Sequence, residues 1–368
     1  MNENPNDSNT NQQTQQEPQI QQAPPAGKQR KERPRITIPP DKLLTVSSSP
    51  HIKGGETTTT IMSAVIISLS PALIWAVYIF GFRALTLTVI SVLSCVISEF
   101  VFQKIMKKRT TIGDLSAVVT GMLIAFNLPI NTPLWAPVVG SVFAIVVVKQ
   151  LFGGIGKNIV NPAIAARIFM FLSFSFMSTY HDVAAGKLPA FSMNVDSVAG
   201  ATPLSLNYLK QGTLPPIDSF DMFLGLEKGG CIGEISVLLL LAGGIYLIWR
   251  RIITWHTPVS FIGVVALITF FLPKGTDGLA FMTAEILSGG LFIGAIFMAT
   301  DYATSPLTAK GKLIFGAGCG LITVFIRYFG SYPEGVSFAI MIMNLFVWYI
   351  DKLTKPVRFG GSVKNVGK

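Results

Sequence analysis

Charge is what this chain has least of. Of its 368 residues only 13% are Asp, Glu, Lys or Arg, against 50% that are hydrophobic, and the mean hydropathy is +0.53. A soluble domain of this length needs more charge to keep its surface solvated, which excludes that class. Histidine and cysteine are scarce too, at three each. Cys95 and Cys319 lie within apolar runs, Cys231 lies just before one, and no two form a C-x-x-C pair. No iron–sulfur or zinc site built by this chain alone is expected, and the three read as buried free thiols. The first fifty residues lack any apolar stretch, so no cleavable secretory signal is expected. Asn2 to Pro25 are instead rich in Gln, Asn and Pro, which cannot bury enough surface to fold alone.

What the chain does have is apolar length. From Ile61 onward the hydrophobic residues come in runs of about twenty, enough to cross a hydrocarbon core of roughly 30 Å as helix. About ten membrane helices are expected, near residues 58–80, 84–104, 113–129, 133–152, 161–179, 232–250, 254–273, 279–300, 311–329 and 335–351. The fold class is an all-α integral membrane protein, with about ten transmembrane helices arranged as two inverted five-helix repeats. The expected organisation is a disordered tail over 1–50, a first membrane half over 51–179, a connection over 180–230, a second half over 231–352 and a basic tail over 353–368. An odd number of spans per half makes the halves inverted. Leu128-Pro129 and Leu272-Pro273 stand as far apart as Asn161-Pro162 and Ser305-Pro306, which hints at the repeat.

The formal net charge is +10. A nucleic-acid surface would gather that charge on one folded face. Here Lys28, Arg30, Lys31, Arg33 and Arg35 fall in the N-terminal tail, where anionic lipid is a further contact. Lys107, Lys108, Arg109, Lys157, Arg250, Arg251, Lys310, Lys312, Lys352, Lys355 and Arg358 fall in alternate loops and the C-terminal tail. The other loops are poor in basic residues, with Arg83 a minor exception, and the central connection carries Asp182, Asp196, Asp218, Asp221 and Glu227. By the positive-inside rule both termini are expected in the cytoplasm and the connection outside. No nucleic-acid partner is expected.

Three clusters look chemical. Lys149 to Asn158 contains Gly153, Gly154 and Gly156 and is followed by Asn161-Pro162-Ala163. Such glycines let the backbone bend and approach a flat ligand, although a tight turn before a proline-started helix needs no ligand. Asp196 to Leu204 holds small residues before Thr202 and Pro203 after it, and reads equally as an exposed turn. Trp255-His256-Thr257-Pro258 and Thr300-Asp301 form a third group that fits the membrane interface and local capping as well as any ligand. Ionisable residues within spans are functional suspects. Glu99 lies deepest, one helical turn from Lys104, its expected partner.

In order along the chain, Ser49-Pro50-His51, Asp114-Leu115-Ser116-Ala117 with Thr120-Gly121, Lys149-Gln150 through Asn161-Pro162-Ala163, Ala201-Thr202-Pro203-Leu204, Trp255-His256-Thr257-Pro258, Thr300-Asp301 and Gly311-Lys312-Leu313-Ile314-Phe315-Gly316 resemble RnfD, the D-type membrane component of the Rnf electron-transport complex. More distantly they resemble the B-type membrane component of the sodium-pumping NADH:quinone reductase. The resemblance covers the chain from position 49 to the last helix.

It implies a membrane flavoprotein component of a ferredoxin:NAD+ oxidoreductase that relays electrons across the membrane, coupled to Na+ or H+ translocation, in a bacterial inner membrane. In this family a threonine carries FMN through a phosphoester installed by a flavin transferase. The matching acceptor is Thr202, with Asp196, Gly200 and Ala201 as the motif to be read, and Ala199 stands where Ser or Thr is usual. A second, non-covalent flavin (riboflavin) is implied toward the cytoplasmic side, with Gly153, Gly154, Gly156, Asn161 and Pro162 as its lining. The implied partners are the other Rnf subunits (A, B, C, E and G). The competing readings are the B-type component of the quinone reductase, which ends on quinone, and a solute channel or transporter, which binds no flavin.

Overall fold

A computed structural model describes residues 57–181, 187–191, 199–200, 203–204, 209–226, 229–275, 277–330, 332 and 334–356. The N-terminal tail and the end of the basic C-terminal tail lie outside the described residues. The apolar runs form helices α1 (Thr58–Phe80), α2 (Phe82–Ile105), α3 (Ser116–Phe126), α4 (Ala136–Val142, continuing as π-helix through Phe143–Gln150) and α5 (Pro162–Ser173). Beyond a short α6 (Ser219–Leu224) come α7 (Val237–Trp249), α8 (His256–Phe271), α9 (Gly278–Leu287), α10 (Leu291–Ile293, continuing as π-helix through Gly294–Met298), α11 (Ala309–Phe329) and α12 (Val336–Thr354). The protein is an all-α membrane protein. Among the described residues the only strands are two-residue pieces, Tyr180–His181 and Ala199–Gly200.

Four helices (α1, α2, α11 and α12) are long and apolar enough to cross a membrane alone. The α9–α10 pair passes only when taken together, and it bends by 65° at Ser288-Gly289-Gly290, where Gly289 has φ +66°. The remaining five are apolar helices of 10 to 17 residues. Two elements differ from the hydropathy reading. The expected span 279–300 is two half-helices, because a three-residue break leaves the average hydropathy unchanged. The expected 161–179 ends at Ser173, where Phe174 turns extended, and Ser175–Ser178 comes next as a 3₁₀ turn.

Apolar side chains face outward and polar ones inward, which is the arrangement a lipid solvent imposes. Ile74, Ile105, Trp249, Phe329 and Leu353 are exposed, while Arg83, Glu99, Lys149, Arg167, Glu234 and Glu285 are buried. Arg83 is fully enclosed and spends its guanidinium on backbone. Nε donates to Ile130 O at 2.8 Å, Nη2 to Thr132 O at 2.8 Å and Nη1 to Pro189 O at 3.1 Å. It stands against the positive-inside pattern because it satisfies carbonyls of the irregular segment between α3 and α4, which no helix pairs.

Each half buries a cation in the last turn of its fourth helix. Lys149 of α4 meets Glu99 of α2 at 2.8 Å, and Arg327 of α11 meets Glu285 of α9 at 2.7 Å. Counting the bent α9–α10 pair as one pass, α4 and α11 are the fourth and ninth passes and run in opposite directions. The two pairs therefore sit toward opposite ends of the bundle, as an inverted repeat requires. The proline coincidence does not express this repeat, since Pro129 comes after the third helix of its half and Pro273 after the second. The halves are stitched where Ile232 N and Gly233 N donate to Leu128 O and Phe126 O, at 3.0 and 2.8 Å.

Candidate cofactor cavity between the two halves

At the lysine-rich end, walls from both halves enclose an open-mouthed cleft of about 110 Å³. Its apolar lining includes Ile61, Val119, Leu123 and Ile296, and its polar lining includes Ser116, Thr120, Asn158 and Asn161. Lys149 from the first half and Asp301 from the second are its two charged lining residues.

Both π-helical segments end at this cleft. One delivers Lys149, the other Ile296 and Phe297. A π turn inserts one residue per turn and rotates the chain beyond it, and such turns concentrate at functional sites. In the bend after α4, Gly153, Gly154 and Gly156 all have positive φ, at +114°, +93° and +81°. They are glycine for the turn itself. No glycine of the bend is among the lining residues, which here are Ile155 and Asn158.

Asn161 starts α5. Its Oδ1 accepts from Ala163 N at 3.0 Å and Ile164 N at 3.4 Å, capping the helix. Its Nδ2 donates to Met298 O at 3.2 Å, tying the first half to the end of α10. Pro162 occupies the first helical position, where its missing N–H costs nothing. Asn158 is different. Its Oδ1 is buried with no hydrogen-bond partner among the described residues, and the residue lines the cleft. A buried acceptor left unpaired costs roughly 1–3 kcal/mol, and a ligand donor in the cleft would remove that cost.

Lys149 does not sit free. Its Nζ donates to Glu99 Oε2 at 2.8 Å and to Ser116 Oγ at 2.6 Å. Glu99 also accepts from Gln150 Nε2 at 2.8 Å, Gln103 Nε2 at 3.1 Å and Thr111 Oγ1 at 3.3 Å. The sequence expectation that Glu99 pairs with Lys104 is therefore corrected. The turn-spaced lysine lies on the outer side of α2, while α4 brings Lys149 to the buried face. On the opposite wall Asp301 accepts from Thr304 Oγ1 at 3.1 Å, and burial pushes its carboxyl above the usual range.

At the other end a second buried cluster joins the halves. Arg167 of α5 donates to Asn127 Oδ1, Glu234 Oε1 and Glu334 Oε2. Tyr180 OH donates to Glu334 Oε1 at 3.1 Å, and burial holds that phenol well above its usual pKa, so it remains a donor. Tyr180 in turn pairs with Gly200 across the two short strands. Leu204 is buried in a small apolar cluster with Leu209, Phe281 and Ala284.

A family model describing the NQR2, RnfD, RnfE family matches residues 45–360. The chain belongs to this family. It is 50% identical over 319 residues, 86% of this chain and 95% of the relative, to the D component of the Na+-translocating ferredoxin:NAD+ oxidoreductase complex of Acetobacterium woodii. It is 39% identical over 331 residues, 86% of this chain and 96% of the relative, to the proton-translocating counterpart of Clostridium ljungdahlii. The D component of the ion-translocating oxidoreductase complex of Escherichia coli is 32% identical over 351 residues, 86% of this chain and 99% of that one.

For this member of the RnfD family, Thr202, Asp196 and Ala201 lie outside the described residues, while Gly200 is described as Tyr180's strand partner. Of the residues expected at a second flavin, Asn161 and Pro162 line the cleft. Sequence reasoning singled out Lys149, Asn158 and Asp301 within its chemical clusters without joining them in one site, and it did not single out Ser116 and Thr120 as lining. The signals were present, since each stands in or beside a string that carried the resemblance. The geometry was not, because the cleft draws on helices and loops of both halves.

Proposed function

We propose that this chain is the D-type membrane flavoprotein of an ion-translocating ferredoxin:NAD+ oxidoreductase, carrying electrons across the membrane between a covalent FMN at Thr202 and a second flavin in the cleft. The observation that carries the reading is the identity to the A. woodii relative over 95% of its length, together with a two-sided cleft that holds an unpartnered buried amide oxygen. Both termini and the cleft are cytoplasmic, the connection is external, and the membrane is the bacterial inner membrane, by the distribution of Lys and Arg. The other Rnf subunits (A, B, C, E and G), the flavin transferase and the surrounding lipid are its partners.

The flavins supply the redox chemistry when bound, and the protein supplies position and electrostatics. The Thr202 hydroxyl is the tether point for the FMN phosphate, and Asp196, Gly200 and Ala201 are the residues that the transferase reads. In the cleft, Asn158 and Asn161 present amides, Ser116 and Thr120 hydroxyls, and the Ile and Val walls keep out water. Gly153, Gly154 and Gly156 hold the turn that places Ile155 and Asn158 on the wall. The ion carried is Na+ or H+, as the relatives are named for each.

The test is functional. Everted membrane vesicles given reduced ferredoxin and NAD+ should form NADH and take up the coupling ion, and both should stop when this chain alone is deleted. Unchanged ferredoxin-driven NADH formation and ion uptake in the deletion strain would overturn the assignment.

A further inference from the structure

We propose that the buried Lys149–Glu99 pair sets the electron affinity of the cleft, with Lys149 presenting positive charge to the bound flavin and Glu99 limiting how much of it is felt. The inference rests on the reading that the cleft holds a non-covalent flavin.

The orientation of the pair carries the argument. Lys149 and Ser116 line the cleft, whereas Glu99 does not. Ser116 Oγ accepts from Lys149 Nζ at 2.6 Å and itself donates to Asp114 Oδ1 at 2.5 Å, so the ammonium is held on the cleft side. Glu99 lies behind it, held by Gln103, Gln150 and Thr111 as well as by Lys149. The cleft therefore faces the positive end of a fixed dipole. An ammonium carries three N–H donors. Two of Lys149's are accounted for by Glu99 and Ser116, and the third has no partner among the described residues. The remaining ionisable residues of the cleft wall are on the other half: Asp301, held by Thr304 and by the backbone of Tyr302 and Ala303, and Tyr302, whose hydroxyl donates to Ile252 O.

Reduction adds negative charge to the pyrimidine end of an isoalloxazine. A fixed cation at a low-dielectric wall favours the state carrying that charge. A lysine alone at such a depth would be costly to bury, and its carboxylate partner moderates both the cost and the field. Ser116 and Glu99 act through Lys149 and are positioning residues.

The experiment is a redox titration of the non-covalent flavin in the whole purified complex, after its flavin content is measured. Lys149→Gln paired with Glu99→Gln removes both charges while keeping hydrogen-bonding groups, so the fold is retained. The flavin should become harder to reduce by at least tenfold in its oxidised-to-reduced ratio, about 30 mV for a two-electron couple. Glu99→Gln alone leaves the ammonium unmoderated and should move the flavin the opposite way. Lys149→Arg should stay near the parent value. Opposite signs from two neighbouring substitutions are not what loosened packing produces. A midpoint that stays within a few millivolts of the parent in both Gln variants, at full flavin content, would overturn the tuning role and leave the cleft assignment standing. A parent complex with no flavin released from this chain would overturn the cleft assignment and the proposal with it.

Discussion

Arg167→Leu is expected to remove most of the folded chain from the membrane. Asn127 Oδ1, Glu234 Oε1 and Glu334 Oε2 all accept from this one guanidinium, which lies buried among α5, the end of α3 and the segments before α7 and α12. Leucine fills the volume but withdraws the cation that Glu234 and Glu334 share. Breaking a buried pair from one side costs about 3–5 kcal/mol, a large part of a typical total of roughly 5–15 kcal/mol. Asn127 has a second task, since its Nδ2 donates to Leu123 O at 2.6 Å, so the end of α3 loosens along with the cluster. Size-exclusion chromatography in detergent should show the monodisperse peak reduced several-fold, and adding Glu334→Gln should recover part of it by removing one of the stranded charges. An Arg167→Leu protein that elutes and melts like the parent would contradict the cluster's structural role.

The second large effect concerns the cleft alone. Thr120→Trp is expected to abolish the non-covalent flavin and leave the covalent one in place. Thr120 lines the cleft from the middle of α3, and among the described residues its hydroxyl bonds only to Ser116 O, one turn back on the same helix. Replacing it breaks no hydrogen bond between elements, and an indole would occupy the room that a tricyclic ring needs in a cleft of about 110 Å³. Release of non-covalent flavin by mild denaturation should fall from about one per chain to none, while fluorescence on a denaturing gel stays at the parent level. Full flavin release from Thr120→Trp would place the second flavin elsewhere.

The contrast between these sites and the sequence reading comes from what periodicity and hydropathy can register. The apolar segments were legible from their mean hydropathy, and α1, α2, α11 and α12, the four longest, lie within a few residues of expectation. The break at Ser288-Gly289-Gly290 was not, since three small residues barely alter an average over twenty. Glu99 stood out as a buried charge, but its partner came from fifty residues away through packing of α4 on α2, and turn spacing pointed instead to Lys104. Arg83 looked like a defect in the charge pattern until the carbonyls of Ile130, Thr132 and Pro189 surrounded it. Asn161 and Pro162 were legible because one motif places both a cap and a proline at the start of α5. Asn158 and Asp301 became cleft residues only once the two halves met.

Acid precipitation of the chain purified from cells that contain the flavin transferase, with flavin assayed separately in pellet and supernatant, tests the central claim most directly. The account predicts about one FMN per chain in the pellet, on the peptide containing Thr202, and about one non-covalent flavin in the supernatant. Thr202→Ala should lose the first and keep the second. A flavin-free parent pellet, or a Thr202→Ala pellet that still fluoresces, would contradict it.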